Sequence, residues 1–482
     1  MTSNSMLDLN DIQGIIARGY SSLAAASYLL LSITDGQTAK PWLRDTLGQV
    51  TFADMTSGMQ AVNIAMTHSG ISKLNNDSVI LDSFSNEFRT GMTTTHKQHI
   101  LGDENESAPS TWDWGGPNTK TVDVLLLCYA IDQTHLDQLV ESLLVGSNEN
   151  GLSLIKQLGT EKLENAKEHF GFRDGIGQPF YKEFASENKK HPNNNVNNTV
   201  ALGEILLGHE NGYKRLTQRP MVPKKLDPRN VLSQSCDNDA LNDLGLNGSY
   251  LVFRQLSQDV SQFWKSMQEL EQKTTSPDPI RLASKMVGRW PSGTPLVASP
   301  DHDIDDGEDK NNFEYHKEDS EGLKCPLGSH IRRTNPRDSL EPEPGTKKSS
   351  DFSNRHRLLR RGRPYGKPFD SSMDPKVFLA NLDKEDKPES RGLHFICLNA
   401  NIGRQFEFVQ HTWANNPNFN GLYKDSDPII GNRFSNNLKQ DQFTVQQCPA
   451  RTQYRGLPSF VQMKGGGYFF VPSKRALTFL FS

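Results

Sequence analysis

Three short segments of the chain carry residue types that can do chemistry. The first, residues 171–179, reads GFRDGIGQP and places Asp174 between two glycines. Glycines around an aspartate favour a backbone bend, and a carboxylate fixed on a bend can be aimed into a cavity. Taken alone, the pattern is more often a turn in which the aspartate caps its own backbone.

The other two segments are basic. Residues 325–337 read CPLGSHIRRTNPR, so three arginines follow His330. An imidazole there could bind a metal while the guanidinium groups hold carboxylates. A hydrogen-bonded core histidine beside a basic surface strip is the more common situation. Residues 355–366 read RHRLLRRGRPYG, which by itself indicates a basic face or a phosphate-binding patch.

Four apolar runs rich in β-branched or aromatic residues predict buried strands, and each leads into a helical pattern. The strands are expected at residues 27–33, 122–129, 249–255 and 393–398, and the helices at 40–49, 132–144, 257–270 and 401–413. Strand and helix thus alternate twice in each half without a glycine-rich nucleotide turn. This predicts two α+β domains, each an antiparallel sheet with peripheral helices, ahead of a doubly wound nucleotide fold.

Composition limits what the protein can do. The 482 residues carry 53 Lys and Arg against 57 Asp and Glu, a net charge of −4 that gives no general attraction for nucleic acid or an anionic membrane. The longest apolar stretch, residues 23–33, is about half of what a bilayer crossing needs. The N-terminus has no secretory pattern, and the five cysteines form no CxxC or CxxCH. These features predict a cytoplasmic protein without disulfides, thiolate zinc sites or thioether-bound haem.

Three weakly patterned polar segments separate the apolar runs. Residues 181–198, 301–321 and 338–354 are expected to form loops or linkers, and the acidic stretch 301–307 a solvated loop.

In this order, the three motifs resemble the signature of dye-decolourising peroxidases, which are haem b enzymes of the dimeric α+β barrel superfamily. Other segments across nearly the whole chain are similar to that family, and the long loops resemble its larger members. They include DIQG at 11–14, GEILLG at 203–208, GSYLVF at 248–253, MVGRWP at 286–291, RQFEFVQ at 404–410 and GYFF at 467–470. The resemblance implies two ferredoxin-like domains, 1–215 with the GxxDG motif and 216–482 with most of the haem site. It also implies one non-covalent haem b per chain.

The resemblance assigns four site residues. His330 matches the proximal iron ligand, Asp174 the distal acid and base, Arg360 the distal charge stabiliser, and Arg337 a cation for a haem propionate. The implied activity is the oxidation of dyes, phenols and other aromatic donors by hydrogen peroxide, in one-electron steps through a ferryl intermediate. Since an unperturbed carboxylate titrates about two units below imidazole, an Asp base predicts an acidic optimum.

Two questions about the site stay open in the sequence. Proximal histidines are commonly held by a carboxylate on the second ring nitrogen. Some family members have an aspartate where this chain has Asn401, and Glu407 is the alternative source of charge. Arg361 and Arg363 have no assigned role, and a solvated or ion-paired face is expected for them.

Four aromatic residues of the second half are expected to be ordinary packing rather than a surface oxidation site; they are Trp264, Trp290, Trp413 and Tyr365. No nanocompartment-targeting tail is expected, because the given sequence stops at Ser482 directly after the last family-like segment, and a homo-oligomer is left open. The main alternative is a haem-binding, haem-delivery or deferrochelatase-like protein with incidental peroxidase activity. A ferredoxin-like protein without cofactor would leave the ordered motifs unexplained.

Overall fold

A computed structural model describes most of the chain. The described residues are 7–56, 58–185, 193–195, 198–272, 277–306, 310–383, 391–435 and 438–482. Most of the asparagine-rich part of the predicted linker 181–198, and residues 307–309 of the acidic segment, lie outside these ranges.

Within the described ranges, one large sheet organises the molecule. Its nine strands are β1 Ala25–Ile33, β2 Gln60–Met66, β3 Val124–Ala130, β4 Leu152–Gly159, β5 Ser249–Gln258, β6 Leu359–Arg360, β7 Arg363–Tyr365, β8 Gly392–Asn399 and β9 Val461–Val471. The strand order is β7-β8-β5-β9-β2-β3-β1-β4, and β6 also pairs with β8. Neighbouring strands are antiparallel throughout.

The sheet consists of two similar halves. The first four strands are ordered β2-β3-β1-β4, and the later ones repeat this order as β7-β8-β5-β9. This is the ferredoxin-like arrangement in duplicate, so the predicted α+β fold is confirmed. The halves meet where Phe470 of β9 lies opposite Met66 of β2. The domain boundary at residue 215 stays a prediction.

The helix that follows β3 packs against that strand. The four longest α-helices of the described residues are α1 Gly36–Leu47, α2 Gln133–Leu144, α3 Val260–Glu271 and α4 Pro279–Val287. Each begins after an aspartate whose carboxylate accepts a backbone N–H of the first turn, which explains where the helices start. Shorter α-helices are Gly14–Ala17, His68–Leu74, Ser78–Ser83, Asn86–Thr90, Thr95–Leu101, Tyr315–Asp319, His330–Thr334, Lys347–Asn354, Pro375–Ala380 and Lys474–Leu480.

The four predicted strands and the first three predicted helices are confirmed to within four residues at each end. The fourth helix differs in type, because residues Gly403–Glu407 and Val409–Ala414 form π-helical turns. Smaller antiparallel sheets lie outside the main one. They pair Met221–Pro223 and Ser233–Gln234 with Leu241–Asp243, Phe434–Ser435 with Leu438–Lys439, and Gln442–Val445 with Thr452–Arg455.

Both faces of the sheet are buried. Along β1, Leu29 and Leu31 belong to one apolar cluster, whereas Tyr28 and Leu30 belong to another. Burial on both faces explains why these strands are continuous apolar runs instead of alternating ones. The four aromatic residues expected to be packing are at most 8% exposed, as predicted. In the described part of the chain, no helix is both long and apolar enough to span a bilayer.

Residues 301–306 of the acidic stretch are exposed, as predicted, whereas several residues further along the segment 301–321 are buried. Asn311 is 1% exposed and Asp319 is 7% exposed. Asp319 forms an ion pair of 3.0 Å with the buried Arg332. The segment therefore folds back on the second half of the molecule and fixes the helix that starts at His330.

Candidate active site

A large cavity brings the sequence-predicted site residues together. Its volume is about 1180 Å³, which exceeds the usual range for small-molecule sites. Asp174, His330, Arg337 and Arg360 all line it. Asp174 lies more than 150 positions before the other three residues, so its position beside them arises from the fold.

Asp174 lies on a bend held by the backbone. Gly171 and Gly175 have φ angles of 92° and 88°, a region that glycine adopts at little cost. The Asp174 N–H donates to the carbonyl of Ala166 at 3.0 Å, and Oδ1 accepts the N–H of Gly175 at 2.6 Å. The carboxylate does cap its own backbone, as the turn pattern suggested, and it also faces the cavity.

Glu168 fastens the same bend, a role that the sequence did not reveal. Its carboxylate accepts the N–H groups of Phe170 and Phe172 at 2.9 and 3.0 Å, and the Nε2 of Gln258 at 2.7 Å. Burial raises the pKa of Glu168 to about 7, although these hydrogen bonds act in the opposite direction. Besides Asp174, the cavity therefore contains a buried carboxylate, Glu168, whose pKa is raised by burial.

Arg360 reaches the cavity from the sheet. It ends β6 opposite Cys397 of β8, and the side-chain amide of Gln178 bonds both its backbone N–H and its carbonyl. Its Nη2 lies 3.3 Å from Oδ1 of Asp174. The two residues predicted to act together on the distal side are thus in direct contact.

His330 is held by a carboxylate on one ring nitrogen. Its Nδ1 lies 2.9 Å from Oδ2 of Asp427, which is fully buried. Burial alone would lower the pKa of His330, but the Asp427 charge and hydrogen bond outweigh it and raise that pKa. Because the carboxylate accepts a proton from Nδ1, Nε2 is left with its lone pair available to a metal.

The predicted choice between Asn401 and Glu407 as the partner of His330 was wrong. Glu407 pairs with Nζ of Lys97 at 2.6 Å and accepts the hydroxyl of Tyr468 at 2.9 Å. Asn401 caps the following turn by accepting the N–H of Arg404. Both positions follow β8, whereas the carboxylate that reaches His330 comes from a loop 97 residues away in sequence.

Three buried arginines on the cavity wall suit an anionic group. Arg289, Arg337 and Arg357 are each at most 6% exposed, and in the described part of the chain none of them forms an ion pair with a carboxylate. Burial lowers the pKa of Arg289 to about 10 and that of Arg357 to about 9, and repulsion from Arg337 adds to both shifts. A ligand with carboxylates would relieve this uncompensated charge.

The donor set of the cavity therefore fits a haem. The arginines would match two propionates, and His330 would hold the iron through a ring nitrogen. No cluster of three or more His, Cys, Asp or Glu side chains suited to a metal ion occurs within the described ranges. A single histidine is adequate for an iron that brings its own equatorial ligands.

The other arginines of the two basic motifs have structural roles. Arg333 donates to the carbonyls of Gly328, Trp413 and Asn416. Arg361 and Arg363 were expected to be solvated or ion-paired, and that was wrong.

Both of these side chains are instead turned toward the N-terminal segment. Arg361 donates to the carbonyls of Ile15 and Ile16, and Arg363 to those of Tyr20, Leu23 and Ala24. They tie the N-terminal segment to the edge of the sheet.

Comparisons with known proteins agree with this site. No protein-family model matches the chain. The chain is 30% identical to the multifunctional dye peroxidase DyP2 of Amycolatopsis sp., over 76% of this chain and 72% of the relative. It is 28% identical to the dye-decolorizing peroxidase msp1 of Mycetinis scorodonius, over 99% of this chain and 88% of the relative.

Solved structures extend the similarity to the fold. An ancestral D-type dye-decolorizing peroxidase superposes with a TM-score of 0.77 at 27% identity, covering 99% of this chain and all of the other. A DyP-type peroxidase of Anabaena sp. gives a TM-score of 0.75 at 26% identity, and the match covers 98% of this chain and 94% of the other.

Proposed function

Because this chain belongs to the dye-decolourising peroxidase family, an oxidoreductase family that acts on peroxide, we propose that it uses hydrogen peroxide to oxidise dyes, phenols and similar aromatic donors. The observation that carries the proposal is the cavity in which the contacting pair Asp174 and Arg360 and the Asp427-bound His330 meet. A haem b bound there without covalent attachment would supply the iron at which peroxide is reduced and the store of oxidising equivalents for the donors.

In this proposal His330 holds the iron through Nε2. The Asp427 carboxylate keeps the proton on Nδ1 and makes the imidazole a stronger donor. Arg337, with Arg289 and Arg357, provides positive charge for the propionates.

Asp174 and Arg360 act on peroxide itself. Peroxide must lose a proton from one oxygen and gain it on the other before the O–O bond breaks, and a carboxylate on the cavity wall can carry that proton. The departing oxygen develops negative charge, which a permanent guanidinium stabilises better than an ammonium group would. The 3.3 Å contact between the two side chains lets one bound peroxide reach both.

The main alternative is a haem-carrying or iron-removing protein. Carriage needs only His330 and cations for the propionates, so it leaves the contact between Asp174 and Arg360 without a purpose. That contact favours the peroxidase.

A cytoplasmic location is proposed on cysteine usage, since all five cysteines are free thiols.

The test combines haem binding with turnover. Apoprotein is titrated with haem, and peroxide-dependent oxidation of a methoxyphenol is then followed for wild type, His330→Ala and the surface control His302→Ala. We expect wild type and the control to bind one haem per chain and to turn over, whereas His330→Ala binds haem weakly. A wild-type protein that binds haem but oxidises no donor with peroxide would refute the proposal.

A further inference from the structure

Buried asparagines, not carboxylates, hold three of the arginines of the cavity, namely Arg289, Arg337 and Arg357. Oδ1 of Asn311 accepts from Nη2 of Arg289 at 3.0 Å and from Nη2 of Arg337 at 2.6 Å. The backbone carbonyl of Asn311 accepts from Nη1 of Arg337 at 3.1 Å. Asn198 binds Arg357 in the same way, because Oδ1 of Asn198 accepts from Nη1 of Arg357 at 3.3 Å.

The asparagines also bind one another. Nδ2 of Asn311 donates to Oδ1 of Asn193 at 2.6 Å, and Nδ2 of Asn198 donates to the carbonyl of Asn311 at 3.0 Å. All three are at most 5% exposed, although they come from segments that the sequence predicted to be polar loops. Asn311 is therefore a fixed hub, because its side-chain oxygen, its side-chain nitrogen and its backbone carbonyl are all hydrogen-bonded.

The choice of an amide at this point has an electrostatic consequence. A buried guanidinium normally pairs with a carboxylate, which satisfies its hydrogen bonds and also neutralises its charge. An amide of nearly the same shape satisfies the hydrogen bonds and leaves the charge in place. Arg289 and Arg337 are thus oriented but not neutralised, and Arg289 also donates to the carbonyls of Gly293 and Lys310.

We propose that Asn311 is a positioning residue that aims Arg289 and Arg337 while preserving their positive charge for an anionic ligand. The inference rests on the proposed function for the identity of that ligand, a haem with two propionates. It predicts that the empty protein is less stable than it would be with a carboxylate at position 311. The same carboxylate would weaken haem binding.

Asn311→Asp tests this with two measurements that move in opposite directions. Thermal unfolding of the apoprotein is expected to occur at the wild-type temperature or above, because the new charge compensates the arginines. Transfer of haem from the loaded protein to apomyoglobin is expected to be at least ten times faster than in wild type. Asn311→Ala removes the hydrogen bonds without adding charge, so its apoprotein should unfold at a lower temperature, and its haem should leave more slowly than from Asn311→Asp.

Two further variants separate charge at the cavity from charge in general. Asn198→Asp introduces a carboxylate beside Arg357 and should show the same opposed changes, which keeps the test informative if Asn311→Asp does not fold. Asn211→Asp adds a carboxylate at a buried asparagine that binds Thr217 and the N–H groups of Tyr213 and Arg215, so haem transfer should keep the wild-type rate.

The failures of the two claims are distinguishable. A wild-type apoprotein that takes up no haem would refute the proposed function. If wild type binds haem and both cavity aspartate variants release it at the wild-type rate, the positioning role of Asn311 is overturned. It is also overturned if Asn311→Asp lowers the unfolding temperature of the apoprotein as much as Asn311→Ala does.

Discussion

Replacement of Asp427 by Asn should raise the reduction potential of a haem bound at His330. Oδ2 of Asp427 accepts the Nδ1 proton at 2.9 Å, and Oδ1 accepts the N–H groups of Ile429 and Ile430 at 2.9 and 3.0 Å. In Asn, one of these oxygens becomes an NH₂ group, which must face either the imidazole N–H or the two backbone N–H groups. Neither orientation restores the original bonds, and the negative charge is lost in both.

The size of the effect follows from the strength of that hydrogen bond. A hydrogen bond to a charged group contributes about 1.5–3 kcal/mol. For a one-electron couple, 59 mV corresponds to a tenfold change in the equilibrium constant, or 1.36 kcal/mol. If the bond acts mainly on the ferric state, the Fe(III)/Fe(II) potential of Asp427→Asn should lie roughly 65–130 mV above that of wild type.

Spectroelectrochemical titration of the haem-loaded proteins measures this potential. Asp425→Asn is the matched control, because Asp425 is equally buried and accepts the N–H of Thr444 without touching His330. Glu407→Gln is the second control, since Glu407 binds Lys97 and Tyr468 instead. Each control should shift the potential by less than half as much. An unchanged potential in Asp427→Asn, or an equal shift in Glu407→Gln, would refute the reasoning.

Three further substitutions have defined effects on stability. The pKa of Glu168 is raised from 4.5 to about 7, so its contribution to stability is present below about pH 4.5 and is lost as the pH rises through 7. Between pH 4.5 and 7, the unfolding free energy of wild type should therefore fall by about 1–3 kcal/mol relative to that of Glu168→Gln. If the unfolding free energies of the two proteins change in parallel with pH, the titration of Glu168 is not the cause. Arg361→Ala should cost about 1–3 kcal/mol in urea unfolding because two carbonyl bonds are lost, with the haem spectrum unchanged; an altered spectrum would show that Arg361 serves the site. Lys97→Met leaves Glu407 buried without its ion pair and should cost about 3–5 kcal/mol, whereas a loss below about 1 kcal/mol would mean that the pair is not buried as described.

Much of the fold was predictable because the relevant signals are local. Strands such as β1 and β5 are buried on both faces and appear as continuous apolar runs, and α2 and α3 follow them with clear helical periodicity. Strands β2, β4, β6, β7 and β9 were not predicted. The burial of β4 is irregular, so neither alternation nor a continuous apolar run marks it.

The site was only partly predictable, because local sequence patterns mark only some of its residues. Each of the motifs around Asp174, His330 and Arg360 is a contiguous stretch of sequence, so its residue types could be recognised. Asp427 is a single aspartate in a distant loop, and nothing in its neighbours indicates that it will meet His330.

The cavity asparagines illustrate a second limit. Asn311 lies in an acidic segment that the sequence predicted to be a polar loop, yet it is almost completely buried and accepts hydrogen bonds from Arg289 and Arg337. Composition reports the average environment of a segment, whereas a single buried polar residue is determined by partners from elsewhere in the chain.

Stopped-flow absorbance of the haem-loaded protein mixed with hydrogen peroxide tests the central claim most directly. Wild type should show a haem spectral change whose rate is proportional to peroxide concentration. The change should be at least about 100 times slower in Asp174→Asn and in Arg360→Leu, with haem still bound in both. A wild type that does not react with peroxide, or variants that react as fast as wild type, would contradict the assignment of this cavity as a peroxidase site.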